Sequence, residues 1–335
     1  MKKGLLLILA AVVISGCGKK GVQLEKGTPA YELAKSLSEA VSFADPDKND
    51  ILIKTDSWVI TSGEVIQNIY QTAGNRTNQL KQMDPARLEK ILENAAVGLA
   101  ERKLLLNAAA QKGISATEQE VDSILALNYN RFGGEEKFKN LVTQQGQNFD
   151  FVRNDIRDRY IIDKYMGSIF DSEVKVTDED IQEAYSQPVT ATVRHILFLT
   201  QDKSDSEKAE IKKKAEEVLA KAKAGENFEK LAKEYSEDPG SKDKGGLYSD
   251  FKRGTMVKPF EDAAFTLPIG SISDLVETRY GYHIIKVEGR KTETKPLAEV
   301  RETIKAELEK QKQIEVYEKH MLLLKEAAHY DIVGF

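Results

Sequence analysis

The pattern of apolar residues changes at Pro188, and this change constrains the fold more than any other feature of the chain. Before Pro188 the apolar side chains recur at helical spacing. Residues 191–200 are instead rich in β-branched and aromatic side chains, which is typical of a strand. Beyond Pro296 the helical spacing returns. The sequence therefore predicts an α+β unit between two helical segments.

The first helical segment marks its helix starts clearly. Asp84 provides an N-cap acceptor and Pro85 stands at the first helical position, while Gly113 ends that helix. Three other helices begin with a threonine followed three residues later by an acidic residue, the spacing of a capping box. These pairs are Thr61 with Glu64, Thr117 with Glu120, and Thr177 with Asp180.

The α+β unit is small. Its first strand precedes a charged helix, a second short helix and a glycine-rich loop, and the unit closes with a hairpin around residues 279–281. The predicted elements are a strand at 191–200, helices at 206–224 and 228–235, and a hairpin at 276–287.

The last helix, beyond Pro296, has one apolar face and must bury it against something. Because the α+β unit is complete without it, we expect the N-terminal helices to be its partner. Residues 51–61 have β-branched residues on either side of a polar turn, which predicts a hairpin. The apolar tail at Ile332, Val333 and Phe335 is predicted to add a strand to that hairpin.

The N-terminus has the order of a signal peptide. Lys2 and Lys3 precede an apolar run of ten residues, Leu5–Ile14, which is followed by small residues and Cys17. About 20 residues are needed to span a bilayer as a helix. Residues 14–17 resemble a bacterial lipobox, which implies that Cys17 is acylated, becomes the first residue of the mature chain and anchors the protein to a membrane. The alternative is an uncleaved segment in which Cys17 is merely a small buried residue.

Length and composition limit the number of domains and the kinds of partner. A chain of 335 residues with 41% hydrophobic residues is long enough for two domains. Its formal net charge of -5 argues against a nucleic-acid partner. The predicted parts are a signal peptide at 1–16, a lipidated tether at 17–50, a helical domain at 51–187, the α+β domain at 188–291, and a C-terminal helix and tail at 292–335.

Five short segments of the α+β domain resemble the parvulin family of peptidyl-prolyl cis/trans isomerases, in family order and with family spacing. From the first segment to the last, the resemblance spans about 100 residues. The segments are Arg194–Leu197, Tyr235–Ser241, Gly245–Leu247, Met256 with Lys258–Glu261, and Gly281–Ile285.

The resemblance implies four polar site residues. His195 and His283 are expected side by side on central strands, with Thr278 within hydrogen-bond reach of the pair. Asp238 takes the position that Cys or Asp occupies in this family. Taken alone, a strand histidine is more often structural than catalytic, and Asp238 before Pro239 is typical of a turn.

The same resemblance implies that Leu247, Met256 and Phe260 form the apolar wall that receives the proline ring. Without the family pattern, Met256 and Phe260 are ordinary core residues. Rotation about an X–Pro bond breaks amide resonance but no covalent bond, so neither a cofactor nor a metal is implied. Residues 201–205 lack the basic cluster of phosphate-dependent parvulins, and no phosphate requirement is expected.

The flanking segments, above all residues 112–118 and 132–138, resemble the N-terminal chaperone domain of the SurA and PrsA type of envelope foldase. A generic helical spacer or dimerisation domain is the alternative. The whole chain is thus predicted to be an extracytoplasmic foldase that binds unfolded or newly translocated, proline-containing polypeptides. A holdase whose parvulin domain only binds clients is the competing hypothesis, and a homodimer is left open. The strand–helix alternation of a solute-binding lipoprotein is missing.

Overall fold

A computed structural model describes residues 21–201 and 203–335 as two compact units. The first unit contains the chain up to Lys175 together with Gln311–Phe335, and the second is Val176–Lys310. The division thus falls at 176 and 310, whereas the sequence pattern suggested 188 and 291. The predicted signal peptide and Cys17 lie outside the described residues. Within the described residues, no helix is both long and apolar enough to cross a membrane.

The first unit is mainly helical, and its helices begin as their capping residues predict. Asp84 accepts hydrogen bonds from the backbone N–H groups of Ala86 and Arg87, and Thr117 with Glu120 forms a reciprocal capping box. The helices are α1 (Pro29–Leu37), α2 (Ser62–Ala73), α3 (Pro85–Gln111), α4 (Glu118–Phe132), α5 (Glu135–Gln144) and α6 (Phe149–Glu173), with 3₁₀ turns at Ser42–Ala44 and Gly74–Gln82.

A three-stranded antiparallel sheet completes this unit. The predicted hairpin forms from β1 (Ile51–Lys54) and β2 (Val59–Thr61). The C-terminal tail pairs with the free edge of β1, where Ile53 lies opposite Ile332, and the backbone N–H of Val333 donates to Leu52 at 3.0 Å. The predicted third strand of the tail is therefore confirmed.

The interpretation of residues 17–50 as a tether is wrong for α1 and the turn that follows it. Tyr31, Leu33 and Leu37 are buried in the main core of the first unit. The hydroxyl of Thr61 also donates to the carbonyl of Val22 at 2.6 Å. This segment folds because α1 has an apolar face and the core offers a surface that buries it.

The second unit combines four strands with helices of varied length. It begins with α7 (Asp178–Ser186), whose Thr177 N-cap forms another capping box. The last helix of the chain starts in this second unit and ends in the first. The remaining elements are β3 (Pro188–Leu199), α8 (Asp205–Lys223), α9 (Phe228–Tyr235), β4 (Leu247–Lys252), α10 (Lys258–Thr266), β5 (Val276–Thr278), β6 (Gly281–Thr292) and α11 (Leu297–Ala327), with β7 (Asp331–Ile332) in the first unit.

The end of α11 packs as predicted on the core of the first unit. Met321 is buried there, and Tyr317 and Leu324 pack against it. Ile314, which belongs to the predicted apolar face, is half exposed.

The sheet of the second unit is antiparallel with the order β4-β3-β6-β5. Side chains alternate between its two faces, so β3 and β6 contribute to two cores. On one face Ile196, Phe198 and Ile284 pack under α8 and α9. On the other, Val193 and Ile285 pack against α10. The pairing of β3 with β6 runs along most of both strands and provides a rigid platform at the centre of the unit.

Candidate active site

Two histidines lie together on the α10 face of the sheet. His195 is on β3 opposite Ile285, and His283 is on β6 opposite Leu197, so the histidines are diagonal neighbours on one face. Their Nδ1 atoms are 3.3 Å apart and their rings are nearly parallel. Both side chains are buried, at 3% and 4% exposure. The two histidines therefore lie side by side, as expected from the sequence.

Asp238 reaches this pair from the loop after α9. Its Oδ2 is 2.9 Å from Nε2 of His195. The loop is tied to β3 by backbone contacts: Glu237 N–H donates to Leu197 O at 2.8 Å, and Leu197 N–H donates to the hydroxyl of Ser236 at 3.2 Å. Asp238 is therefore held against the sheet by the hydrogen bonds of the two residues that precede it.

The far end of the loop is fixed by its own contacts with β3. His195 N–H donates to Gly246 O at 2.9 Å. The guanidinium of Arg194, on the opposite face of the strand, donates to the carbonyls of Lys244 and Gly245 at 2.9 and 2.8 Å. The loop between Asp238 and β4 is thus anchored at both ends, which holds its polar groups in place over His195.

Thr278 completes the row at the end of β5. Its hydroxyl oxygen is 2.8 Å from Nε2 of His283 and accepts the backbone N–H of Tyr280 at 3.1 Å. Asp238, His195, His283 and Thr278 therefore form one continuous chain of hydrogen-bonded groups. All four of the polar residues that the sequence singled out are brought together.

The charges of this chain follow from its environment. The hydrogen bond from His195 is the main reason that the pKa of Asp238 lies well below its usual range, and Ser241 and the N–H of Gly240 add to it against the opposing effect of burial. Burial, assisted by the neighbouring His195, lowers the pKa of His283 to about 4. At neutral pH Asp238 is thus an anion and His283 is uncharged.

The charge on Asp238 sets the direction of its hydrogen bond with His195. A carboxylate only accepts, so Nε2 of His195 donates to Asp238. The Nδ1 atoms of the two imidazoles share a hydrogen bond at 3.3 Å. Nε2 of His283 shares another with the hydroxyl of Thr278 at 2.8 Å. Every polar atom in the row has a partner, and the negative charge stays at the Asp238 end.

Asp238, His195 and His283 line an open cavity of about 740 Å³, and Thr278 supports the row through its hydrogen bond with His283. Met256 and Phe260, which the sequence analysis assigned to an apolar wall, line this cavity together with Leu197. The ring of Phe260 meets those of His195 and His283 edge-on, at 5.3 and 5.4 Å between centroids. The cavity therefore combines an apolar wall with a short polar floor, which suits a small hydrophobic ring attached to a polar amide.

Leu247 is not among the residues that line this cavity. It pairs with Arg194, whereas its neighbour Tyr248 pairs with Val193 on the α10 face. Because successive strand residues point to opposite faces, Leu247 faces away and Tyr248 lines the cavity. The predicted role of Leu247 as part of the apolar wall is not supported by this geometry.

Two polar residues of the site were missed by the sequence analysis. Ser241, at 1% exposure, donates its hydroxyl to Oδ2 of Asp238 and lies 2.9 Å from Nε2 of His195. Tyr248 donates to the same carboxylate oxygen at 3.2 Å. A serine three residues after Asp238 was a signal available in the sequence, whereas the position of Tyr248 depends on the register of β4 with β3.

Comparison with known proteins gives two family matches within the chain. Residues 180–291 match the model of the PPIC-type PPIase domain, and residues 37–166 match that of the SurA-like N-terminal domain. The foldase protein PrsA of Clostridium botulinum (strain Hall) is 30% identical over 312 residues, which cover 88% of this chain and 86% of that protein.

The chain belongs to the PrsA foldase family. The PrsA of Caldanaerobacter subterraneus subsp. tengcongensis is 37% identical over 225 residues, covering 66% of this chain and slightly less than two thirds, 64%, of that protein. A crystal structure of the peptidylprolyl isomerase PrsA from Bacillus anthracis aligns at 29% identity over 70% of this chain and 97% of that chain, with a TM-score of 0.44. As a member of the PrsA family, this protein is a peptidyl-prolyl cis/trans isomerase and foldase whose partners are client polypeptides.

Proposed function

We propose that the cavity of the second unit holds an X–Pro segment of a client and accelerates its cis/trans rotation without forming a covalent bond. Met256 and Phe260 receive the proline ring. Asp238, His195 and His283 form the polar floor beneath the rotating bond, and Thr278 supports His283. The single observation that carries this proposal is the continuous row of hydrogen-bonded groups from Asp238 to Thr278, of which Asp238, His195 and His283 line an apolar-walled cavity.

The site needs only to stabilise the twisted form of the X–Pro bond. Rotation about the bond must overcome a barrier of about 18–20 kcal/mol, because the amide loses its resonance at the midpoint. The twisted bond has a ketone-like carbonyl whose carbon is more electropositive than in the planar amide. An anion fixed near that carbon stabilises the twisted form more than either planar isomer. Asp238 is this anion in the proposal, and three side-chain donors fix its carboxylate.

The histidines position Asp238 in this proposal. His195 donates to the carboxylate, and His283 holds the ring of His195 in place through the Nδ1 contact of 3.3 Å. Thr278 in turn fixes His283. Each group is buried or half-buried and has a partner, which keeps the floor rigid while the substrate moves.

The test is exchange spectroscopy by NMR on an Ala-Pro peptide with the full chain and its Asp238→Asn variant. We expect the accelerated exchange to fall by about 10-fold or more in Asp238→Asn, since a preorganised charge is replaced by a neutral amide. Asp274→Asn is the matched control, because Asp274 is exposed and pairs with Lys223 on the surface. Equal rates for Asp238→Asn and the wild type would refute the role given to Asp238.

We further propose that catalysis needs no phosphate on the residue before proline. The segment after β3, Gln201–Asp205, carries one lysine among two aspartates. Rates measured on paired peptides with serine or phosphoserine before proline test this. A preference for the phosphorylated peptide of about 10-fold or more would contradict the proposal.

The protein is also proposed to act outside the cytoplasm, held at the cell envelope by lipid on Cys17. The support is the order of basic, apolar and small residues before that cysteine. Metabolic labelling with a fatty acid, compared between the wild type and Cys17→Ser, tests the anchor. Light scattering on the same preparations distinguishes a monomer from a homodimer.

The chaperone role is proposed to lie in the first unit. Its helices α4 and α11 expose large apolar side chains, namely Leu127, Phe132, Ile314, Leu322 and Leu323. Such side chains bind unfolded clients without sequence preference. If client folding stays intact in Asp238→Asn while bond exchange slows, the holdase hypothesis is favoured over the foldase.

A further inference from the structure

Tyr248 is a polar group of the cavity that has so far been described only as a donor to Asp238. It lies on β4, its ring is 5.3 Å from that of His195, and its hydroxyl is 3.2 Å from Oδ2 of Asp238. We propose that Tyr248 is a further catalytic residue, whose hydroxyl leaves Asp238 and donates a hydrogen bond to the twisted X–Pro bond. The inference rests on the proposed function of the cavity.

The first argument is the crowding of one oxygen atom. Oδ2 of Asp238 is contacted by three donors: Nε2 of His195, the hydroxyl of Ser241 and the hydroxyl of Tyr248. A carboxylate oxygen has two lone pairs, so three donors compete for two strong positions. The contact from Tyr248 is the longest of the three. It is therefore the hydrogen bond that the site loses most easily.

The second argument is access to the cavity. Ser241 is 1% exposed and does not appear in the cavity lining that the described residues form. Tyr248 does line the cavity. Of the two hydroxyl donors to Asp238, only Tyr248 can turn from the carboxylate to a bound peptide while its ring stays in place.

The ring itself is well fixed. Tyr248 pairs with Val193 in the sheet and packs with the cluster that contains Phe251 and Phe260. Rotation of the hydroxyl about its C–O bond therefore redirects the proton without moving the side chain. Burial, with the nearby Asp238, raises the pKa of the Tyr248 phenol, so the hydroxyl keeps its proton at neutral pH.

A donor at this place favours the twisted bond. In the planar amide the nitrogen lone pair is delocalised into the carbonyl and accepts hydrogen bonds poorly. When the bond is twisted, the nitrogen regains that lone pair and becomes an acceptor. A hydroxyl that donates to it stabilises the transition state and neither ground state, which raises kcat and leaves KM unchanged.

The experiment compares the full chain with its Tyr248→Phe variant in the peptide exchange assay. We expect kcat to fall by about 3- to 10-fold with KM unchanged, the range for one neutral hydrogen bond. Tyr235→Phe is the matched control, because Tyr235 lies against the opposite face of the sheet and its hydroxyl accepts from Lys221. The imidazole ¹⁵N shifts of His195 and His283 are expected to be the same in Tyr248→Phe as in the wild type.

A second variant tests the position of the hydroxyl. A Cβ atom added at Gly240 would lie 2.8 Å from the hydroxyl oxygen of Tyr248, so Gly240→Ala must displace it. We expect Gly240→Ala to slow exchange in the wild-type background and to have no further effect in Tyr248→Phe. An equal loss in both backgrounds would overturn the inference.

Three other outcomes are also decisive. If the wild type accelerates exchange and Tyr248→Phe is as fast, the inference on Tyr248 fails while the proposed function stands. If Tyr248→Phe is slow but the shifts of both histidines change with it, Tyr248 acts by holding the polar floor, and the inference fails as well. A wild type with no acceleration refutes the proposed function and the inference together.

Discussion

Protonation of His283 is predicted to destabilise the second unit as the pH falls. The pKa of this buried ring is lowered from 6.5 to about 4 in the folded protein, chiefly by burial. The unfolded chain therefore binds a proton between about pH 6.5 and pH 4 that the folded chain does not. Since the folded pKa is depressed, stability from this group is complete above pH 6.5 and is lost as the pH falls through that window.

The size of the effect follows from the shift. A difference of about 2.5 pKa units corresponds to about 3 kcal/mol, of which roughly 2.5 kcal/mol is lost between pH 7 and pH 4.5. Asp238 does not contribute in that window. Its folded pKa is lowered too, so its own contribution is lost only below the unfolded value of 3.8.

The assay is urea unfolding at a series of pH values, followed through the ¹³C-labelled methyl group of Ile284, which is fully buried in the second unit. His283→Gln is the reference, because glutamine can hydrogen-bond but does not titrate. We expect the free energy of unfolding of the wild type to fall by about 2.5 kcal/mol more than that of His283→Gln between pH 7 and pH 4.5. Direct titration of the imidazole ¹⁵N shifts in the wild type checks the same pKa without a variant. Titration of His283 near pH 6.5, or parallel pH profiles of the two proteins, would refute the reasoning.

Three further predictions concern stability and the loop. Phe198→Ala, at a fully buried position, is expected to lower the unfolding free energy of the second unit by about 3–5 kcal/mol, measured by urea unfolding; an unchanged midpoint would contradict it. Gly246→Ala would place a Cβ atom 2.2 Å from the backbone oxygen of His195, whereas Gly254, which has the same φ of +75°, has open space around it. We therefore expect Gly246→Ala to lower the melting temperature of the second unit more than Gly254→Ala does. Equal melting temperatures of the two variants would argue against a packing constraint at Gly246. Deletion of residues 331–335 removes β7 and is expected to lower the melting temperature of the first unit, with Trp58 fluorescence as the readout, while isomerase activity persists.

The sequence was sufficient to predict those parts of the fold that depend on residues close together in the chain. The strand at 191–200 and the helix at 228–235 are found where the residues predict them, and the capping boxes at Thr117 and Thr177 form. The family motifs also placed His195 beside His283. These features depend on side-chain periodicity, on contacts within one turn of a helix, or on a motif of fixed spacing.

The features that were missed depend on contacts between distant segments. Strand β4 shows no apolar alternation, since Phe251 is its only buried residue, and it forms because β3 offers a partner. The error at Leu247 has the same origin: which of two neighbours faces the cavity is set by register, and a shift of one residue exchanges the faces. Helix α1 was misjudged as a tether because its burial requires a core built from residues far along the chain.

Ser241, His195 and Asp238 are the residue types of a hydrolase triad, but their arrangement differs from that of a triad. In such a triad the histidine joins serine and aspartate through different ring nitrogens, so that one nitrogen can take the serine proton while the other donates to the aspartate. Here both Ser241 and Asp238 contact Nε2 of His195, and Nδ1 is occupied by His283. The hydroxyl of Ser241 donates to Asp238 instead, and the side chain is buried away from the cavity. No ring nitrogen is free to activate the serine, so the same three residue types that would cleave a peptide bond are arranged here to hold a charge in place while the bond rotates.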